Sequence, residues 1–191
     1  MKNCLLIATL LLFCCLNVSA AGGFQQTVTL FVPRDPTTGT YNEQRACINF
    51  STAALSEATP NRCDLRYGSL QINNEDWFGV SAGNEKRSVI KDLGEKNWSD
   101  RFQIPALEPL PELKKGETRV IGIDASADTH KRWAATNGIH AKAIEGHMYL
   151  VHIKDEESDF YALVRVESLT QRNNCVISWS LIQSPEPTGT R

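Results

Sequence analysis

The stretch GHMYLVHIKDEESDFYALVRVESL, Gly146 to Leu169, sets two apolar runs on either side of the acidic cluster Asp155-Glu156-Glu157-Ser158-Asp159. In the second run Ala162, Val164 and Val166 share one face, while Arg165 and Glu167 share the other. A third run, Cys175 to Ile182, places Cys175, Ile177, Trp179 and Leu181 on one face and Ser178 and Ser180 opposite. A period of two is what half-buried antiparallel strands require, because successive side chains point to opposite faces of a sheet. The three runs therefore read as a C-terminal β-meander. The acidic cluster invites a calcium-loop reading, since calcium takes about six to eight oxygen ligands. It lacks the alternating Asp/Asn ligands and central glycine of such a loop, and it falls where a four- or five-residue hairpin connection is needed. We expect a hairpin tip.

Working outward, Thr27 to Val32 alternates polar and apolar residues and is rich in β-branched side chains, so it reads as a strand. Pro33 to Thr40 interrupts regular structure with two prolines and a glycine. Arg45 to Phe50 fits another strand, and Ser51 to Ala58, stopped by Pro60, fits a short helix. Alternation returns in Arg66 to Ile72, and Arg87 to Leu93 suits either a strand or a brief helix. Residues 104–113 hold three prolines and cannot form a regular helix or a central strand. Their leucines point to an extended segment laid over the domain surface. Thr118 to Asp124 reads as a strand, and Asp124 or Ser126 can cap a helix that runs to about Thr136 and docks through Trp133.

The N-terminal twenty residues carry one charge, Lys2, before the apolar run Leu5 to Leu16, and end on Val18-Ser19-Ala20. That is the pattern of a secretory signal peptide cleaved after Ala20, and the run is too short for a spanning helix of about 20 residues. Without Lys2 the basic count falls from 20 to 19 against 22 acidic residues, a mature net charge of −3. Such a balance offers no basic stripe for nucleic acid and no polybasic membrane patch. Cys47, Cys63 and Cys175 remain after cleavage, and an oxidising compartment predicts one disulfide and one spare thiol. Cys47–Cys63 is the expected pair, with Cys175 buried as a small apolar group on its strand face. The expected organisation is a signal peptide over 1–20, a single β-rich domain over 21–183 and a frayed tail over 184–191.

Few residues suggest chemistry. Gly79-Val-Ser-Ala-Gly83 matches the nucleophile elbow of serine hydrolases, whose strand-to-helix turn exposes the serine hydroxyl beside oxyanion-hole amides. The preceding residues 73–78 are too polar for the buried parallel strand an elbow needs. Still, Asp124 or Asp128 and then His147 or His152 follow Ser81 in the hydrolase order of acid and base. Four histidines, His130, His140, His147 and His152, raise the question of a metal. His147 and His152 are five apart, which turns them to opposite faces of one strand, so no metal or cofactor is expected. Trp179 alternates with apolar residues and reads as core, whereas Trp77 and Trp98 are flanked by polar residues and suit an exposed binding surface. Asn49-Phe-Ser51 and Asn97-Trp-Ser99 are glycosylation acceptors in a eukaryotic host only.

These readings predict a mainly β fold, an antiparallel sandwich or partly open barrel with one or two short helices and the C-terminal three-stranded meander. The expected role is a secreted or periplasmic non-catalytic domain that binds a surface protein or a polysaccharide through loops, with neither nucleic acid nor a transmembrane segment involved. A carbohydrate-binding module using Trp77 and Trp98 is one alternative, and a small serine hydrolase with Ser81 as nucleophile is the other.

Overall fold

A computed structural model of the protein describes residues 25–52, 54–55, 63–70, 75–81, 86–110 and 138–185. The expected signal peptide, the strand at 118–124, the helix carrying Trp133, His130 and the last residues of the tail lie outside them. The described chain forms strands β1 (Gln26–Phe31), β2 (Cys47–Asn49), β3 (Ala54–Leu55), β4 (Leu65–Leu70), β5 (Glu75–Val80), β6 (Val89–Glu95), β7 (His140–Lys142), β8 (His147–Lys154), β9 (Asp159–Thr170) and β10 (Asn174–Ile182). One 3₁₀ turn, Gln44–Ala46, precedes β2. Two five-stranded antiparallel sheets result, in the orders β1-β10-β9-β8-β6 and β3-β2-β4-β5-β7. The fold is mainly β and sandwich-like. The first sheet and the second sheet enclose a core of Leu30, Ile48, Phe50, Leu65, Tyr67, Phe78, Tyr149, Val151, Val164, Ile177 and Trp179 with others.

The meander stands as its periodicity predicts, with β8 paired to β9 and β9 to β10. Residues 155–158 close the first hairpin, where Asp155 N–H donates to the Ser158 carbonyl at 2.9 Å and Asp155 Oδ1 accepts from Glu157 N–H at 3.0 Å. The acidic cluster is a turn, held by its own side chain. A register shift between Val176 and Ile177 leaves Glu167 as an extra residue on β9, and its carboxylate accepts from Arg165 and from the Ser178 hydroxyl.

Three expectations change or sharpen. The helix expected over 51–58 is not formed where those residues are described: Ser51 and Thr52 form a turn, and Ala54–Leu55 pairs back on Asn49 and Ile48, with the other positions outside the described residues. The physical reason is local. Asn49 Oδ1 accepts from Ser51 N–H at 2.9 Å, Ser51 Oγ at 2.6 Å and Thr52 N–H at 3.2 Å, so the residue expected to start a helix instead closes an Asx turn. Val89–Glu95 resolves as a strand. Cys47 and Cys63 form the disulfide, with Cα atoms 5.4 Å apart, and Cys175 is a buried free thiol whose pKa burial pushes well up. Such a thiol is inert.

The outer face of the first sheet is also buried. Met148, Leu150, Tyr161 and Leu163 form a second cluster, covered by Trp98, Phe102, Ile104 and Leu107 from the segment that follows β6. This segment is the extended, proline-containing strap expected from 104–113, of which 104–110 is described. It is tied at both ends. Trp98 Nε1 donates to Ser178 Oγ at 2.7 Å, and Arg165 reaches the Lys96 carbonyl at 2.8 Å and Asn97 Oδ1 at 3.1 Å. At the other end the Leu107 carbonyl faces His152 Nδ1 at 3.1 Å and accepts from Tyr161 Oη at 3.2 Å, and Leu110 N–H donates to the Arg87 carbonyl at 3.0 Å.

Trp98 should therefore behave as a packing residue. Replacing it with Ala removes its cover from Met148, Leu150 and Leu163 and its bond to Ser178, and is expected to cost about 2 kcal/mol. Chemical denaturation measures this; a change below about 0.5 kcal/mol, the usual size at a free surface, counts against the strap as a structural element.

Candidate functional site

With the outer face of the first sheet closed, the outer face of the second carries the remaining concentration of aromatic and charged groups. Along β5 the core takes Asp76, Phe78 and Val80, so Glu75, Trp77 and Gly79 point outward. Cross-strand register sets Gly68 of β4 and Lys142 of β7 on either side of Trp77, and Arg66 and His140 on either side of Gly79. Large and small residues thus alternate diagonally. A methyl group built on Gly68 meets no atom of the described residues within 4 Å, which leaves a shallow notch among them beside the half-buried Trp77.

Charges ring this notch in pairs. Lys142 Nζ lies 3.1 Å from Glu75 Oε1. Arg66 reaches Glu43 Oε1 at 3.0 Å and Tyr41 Oη at 3.2 Å, and Tyr41 Oη donates to the same carboxylate at 2.6 Å. The bond to Glu43 raises the Tyr41 pKa, and the same bond with the Arg66 charge lowers that of Glu43. Tyr41 is among the most exposed large side chains, at 56 %. The loop that presents it is ordered by Asp35, which accepts from Thr37 and Thr38 N–H and pairs with Arg45 at 2.8 Å; Arg45 and these amides hold its pKa down at about 2.

The two tryptophans expected to act together are separated. Trp77 lies on the outer face of the second sheet, and Trp98 packs over the outer face of the first, with the whole core between them. Tyr41, Arg66, Lys142 and the Gly68 notch were missed. Their signal was present, since alternation through Arg66-Tyr-Gly-Ser-Leu places Arg66 and Gly68 on one face, but nothing local identifies the strand lying opposite.

Ser81 directly follows β5, and β5 runs antiparallel to both its neighbours. The acids suggested for it, Asp124 and Asp128, lie outside the described residues. His147 and His152 are on the first sheet and engaged there: His147 Nδ1 sits 3.0 Å from Asp92 Oδ2, and His152 Nε2 sits 2.9 Å from Asp159 Oδ1 while its ring stacks on Tyr161 at 4.0 Å. Gly79 has its own reason to be glycine. An added Cβ would come 3.1 Å from Cδ2 and 3.4 Å from Nε2 of His140, a side chain only 6 % exposed. Close packing of an imidazole on the strand accounts for the first glycine of the hydrolase-like pattern.

At one end of the sandwich Asp64 stands out electrostatically. Its Oδ2 accepts from Phe50 N–H at 2.8 Å, but burial and then the nearby Asp155 charge outweigh that bond and raise its pKa to about 6. Among the described residues no three His, Cys, Asp or Glu side chains come together as a metal site, and no helix is long and apolar enough to cross a membrane. Comparison with protein-family models, with curated proteins and with solved structures finds no match, so the site is read from its own geometry.

Two substitutions test this description. Gly79→Ala should cost about 1–2 kcal/mol by forcing His140 off β5, whereas Gly68→Ala should be neutral or slightly stabilising, because it has room and relieves a strand of glycine; equal effects in thermal melts refute the packing role of His140. Asp64 is harder to ionise folded than unfolded, at about 6 against 3.8. Its contribution to stability is therefore fully present below pH 3.8 and is lost as pH rises through 6. Asp64→Asn keeps an acceptor for Phe50 without the charge. It should raise stability at pH 8 by up to about 2 kcal/mol and leave it unchanged near pH 4; a pH-independent difference in the melts rules this out.

Proposed function

We propose that the chain is an exported, non-catalytic binding domain for a protein or surface polymer, and that its contact surface is the outer face of the second sheet around Trp77. What carries this reading is the notch at Gly68 beside Trp77, which no described residue fills and which is rimmed by Arg66, Tyr41, Glu75 and Lys142. An aromatic wall with polar groups at its rim and free space beside it is the usual make-up of a recognition surface. The disulfide is compatible with an extracellular location.

Carbohydrate is the second reading, favoured by the same indole beside open space. It now rests on Trp77 alone, with Arg66, Glu75 and Lys142 as hydrogen-bonding groups, because Trp98 is committed to the strap.

Binding is to be tested on a glycan array and by cross-linking to proteins of the export compartment, with wild type, Trp77→Ala and Gly68→Gln. A Cβ at Gly68 has room, so the Gln side chain can be carried there beside Trp77. Both variants should lose at least about tenfold in affinity for whatever the wild type retains, with unchanged melting temperature. Wild-type binding that survives both substitutions places the contact elsewhere.

A further inference from the structure

Among the described residues the two sheets have four edges, and they are not equally protected. Those of β6 and β7 meet: Ile90 N–H on β6 donates to the carbonyl of Gly138, just before β7. The β6 edge also carries Lys91, Asp92 and Glu95 with a register shift at Asp92/Glu95. β3 is two residues long. The fourth edge, β1, runs for six residues, QTVTLF, without a proline, a charge or a bulge. Natural edges are normally blunted by one of those devices, because a bare row of N–H and C=O groups recruits another strand.

Register identifies the open groups. Val32 N–H donates to the Asn173 carbonyl at 2.9 Å, so alternate residues Leu30, Val28 and Gln26 face β10. Thr27, Thr29 and Phe31 then direct their main-chain groups away from the sheet. Arg45 lies over the Phe31 ring at 4.6 Å and crowds that end, whereas Gln25, Gln26 and Thr27 are exposed. The accessible template is residues 25–29.

We propose that this edge pairs with its own copy in a second molecule, antiparallel about a two-fold axis at Thr27, joining the two first sheets into one continuous sheet. The sequence suits self-pairing. Thr27 would oppose Thr27, Gln25 would oppose Thr29 and Gln26 would oppose Val28, so no like charges meet and a β-branched pair sits on the axis. Roughly six main-chain hydrogen bonds would form. An isologous two-fold contact needs no second surface to evolve, and closure at two copies uses up both β1 edges.

The test uses the chain exported with its leader and purified in processed form. Light scattering coupled to size exclusion should give twice the monomer mass for wild type and the monomer mass for Thr27→Lys, which sets two ammonium groups face to face at an exposed site. Thr27→Cys should form an intermolecular disulfide on mild oxidation, while Thr29→Cys, whose opposite residue is Gln25, should not. The native cysteines do not interfere, since Cys47 and Cys63 are paired and Cys175 is buried. A monomeric wild type at every concentration, a dimer that persists in Thr27→Lys with native circular dichroism, or equal cross-linking at both positions overturns the proposal.

Discussion

The burial of β8 on both faces is the constraint from which the rest of the molecule follows. Six consecutive residues, Met148 to Ile153, are buried, so the strand has no solvent side. Tyr149, Val151 and Ile153 fill the space between the sheets, and Met148, Leu150 and His152 need a second cover. The strap supplies it. A segment with two prolines among residues 104–110 cannot donate a full ladder of its own, which suits it to lie across a sheet as a lid of side chains without becoming another strand. Its few polar attachments are placed where it enters and leaves the sheet, and its apolar residues cover what lies between.

That cover also explains polar groups that would otherwise look functional. His152 is buried, with Nδ1 at the Leu107 carbonyl and Nε2 at Asp159. Asp159 in turn pairs with Lys154, and these two contacts, Lys154 first, pull its pKa down. A histidine, an aspartate and a tyrosine close together resemble catalytic equipment. Here both ring nitrogens are committed to holding the strap and the hairpin base, and Tyr161 stacks on the ring. Glu167 is used similarly: the bulge turns its carboxylate toward Arg165 and Ser178, beneath Trp98. Asp159 is thus set apart from Asp155 and Glu156, its neighbours in sequence, which are confined to the turn.

How much of this was legible in the sequence depended on whether the signal was local. The period of two in Ala162-Val164-Val166 and Cys175-Ile177-Trp179 revealed the meander, because alternation is a property of a strand and its own core. The disulfide was legible from loop size and from the apolar face around Cys175. The failed helix at 51–58 was a contest between propensity and a single side chain, and the Asn49 Asx turn won it. The site was less legible. Trp98 looked exposed because its sequence neighbours are Asn97 and Ser99, but the residues that bury it are some fifty positions or more away, on β8, β9 and β10. The run Met-Tyr-Leu-Val-His-Ile carried the missing warning, since an unbroken apolar strand is one covered on both faces.

The two sheets also differ in build. The first sheet contains the long strands, the continuous apolar runs and the strap. The second is built from shorter strands and tolerates two glycines set diagonally on its outer surface. One of them, Gly79, is occupied by the His140 ring, and the other, Gly68, stays open next to Trp77. A glycine in a strand forfeits packing and entropy, so each of the two needs a reason. At Gly79 the recompense is visible in the buried imidazole. At Gly68 no side chain of the described residues takes the space, so the reason for that glycine does not lie in the packing of β4 and β5.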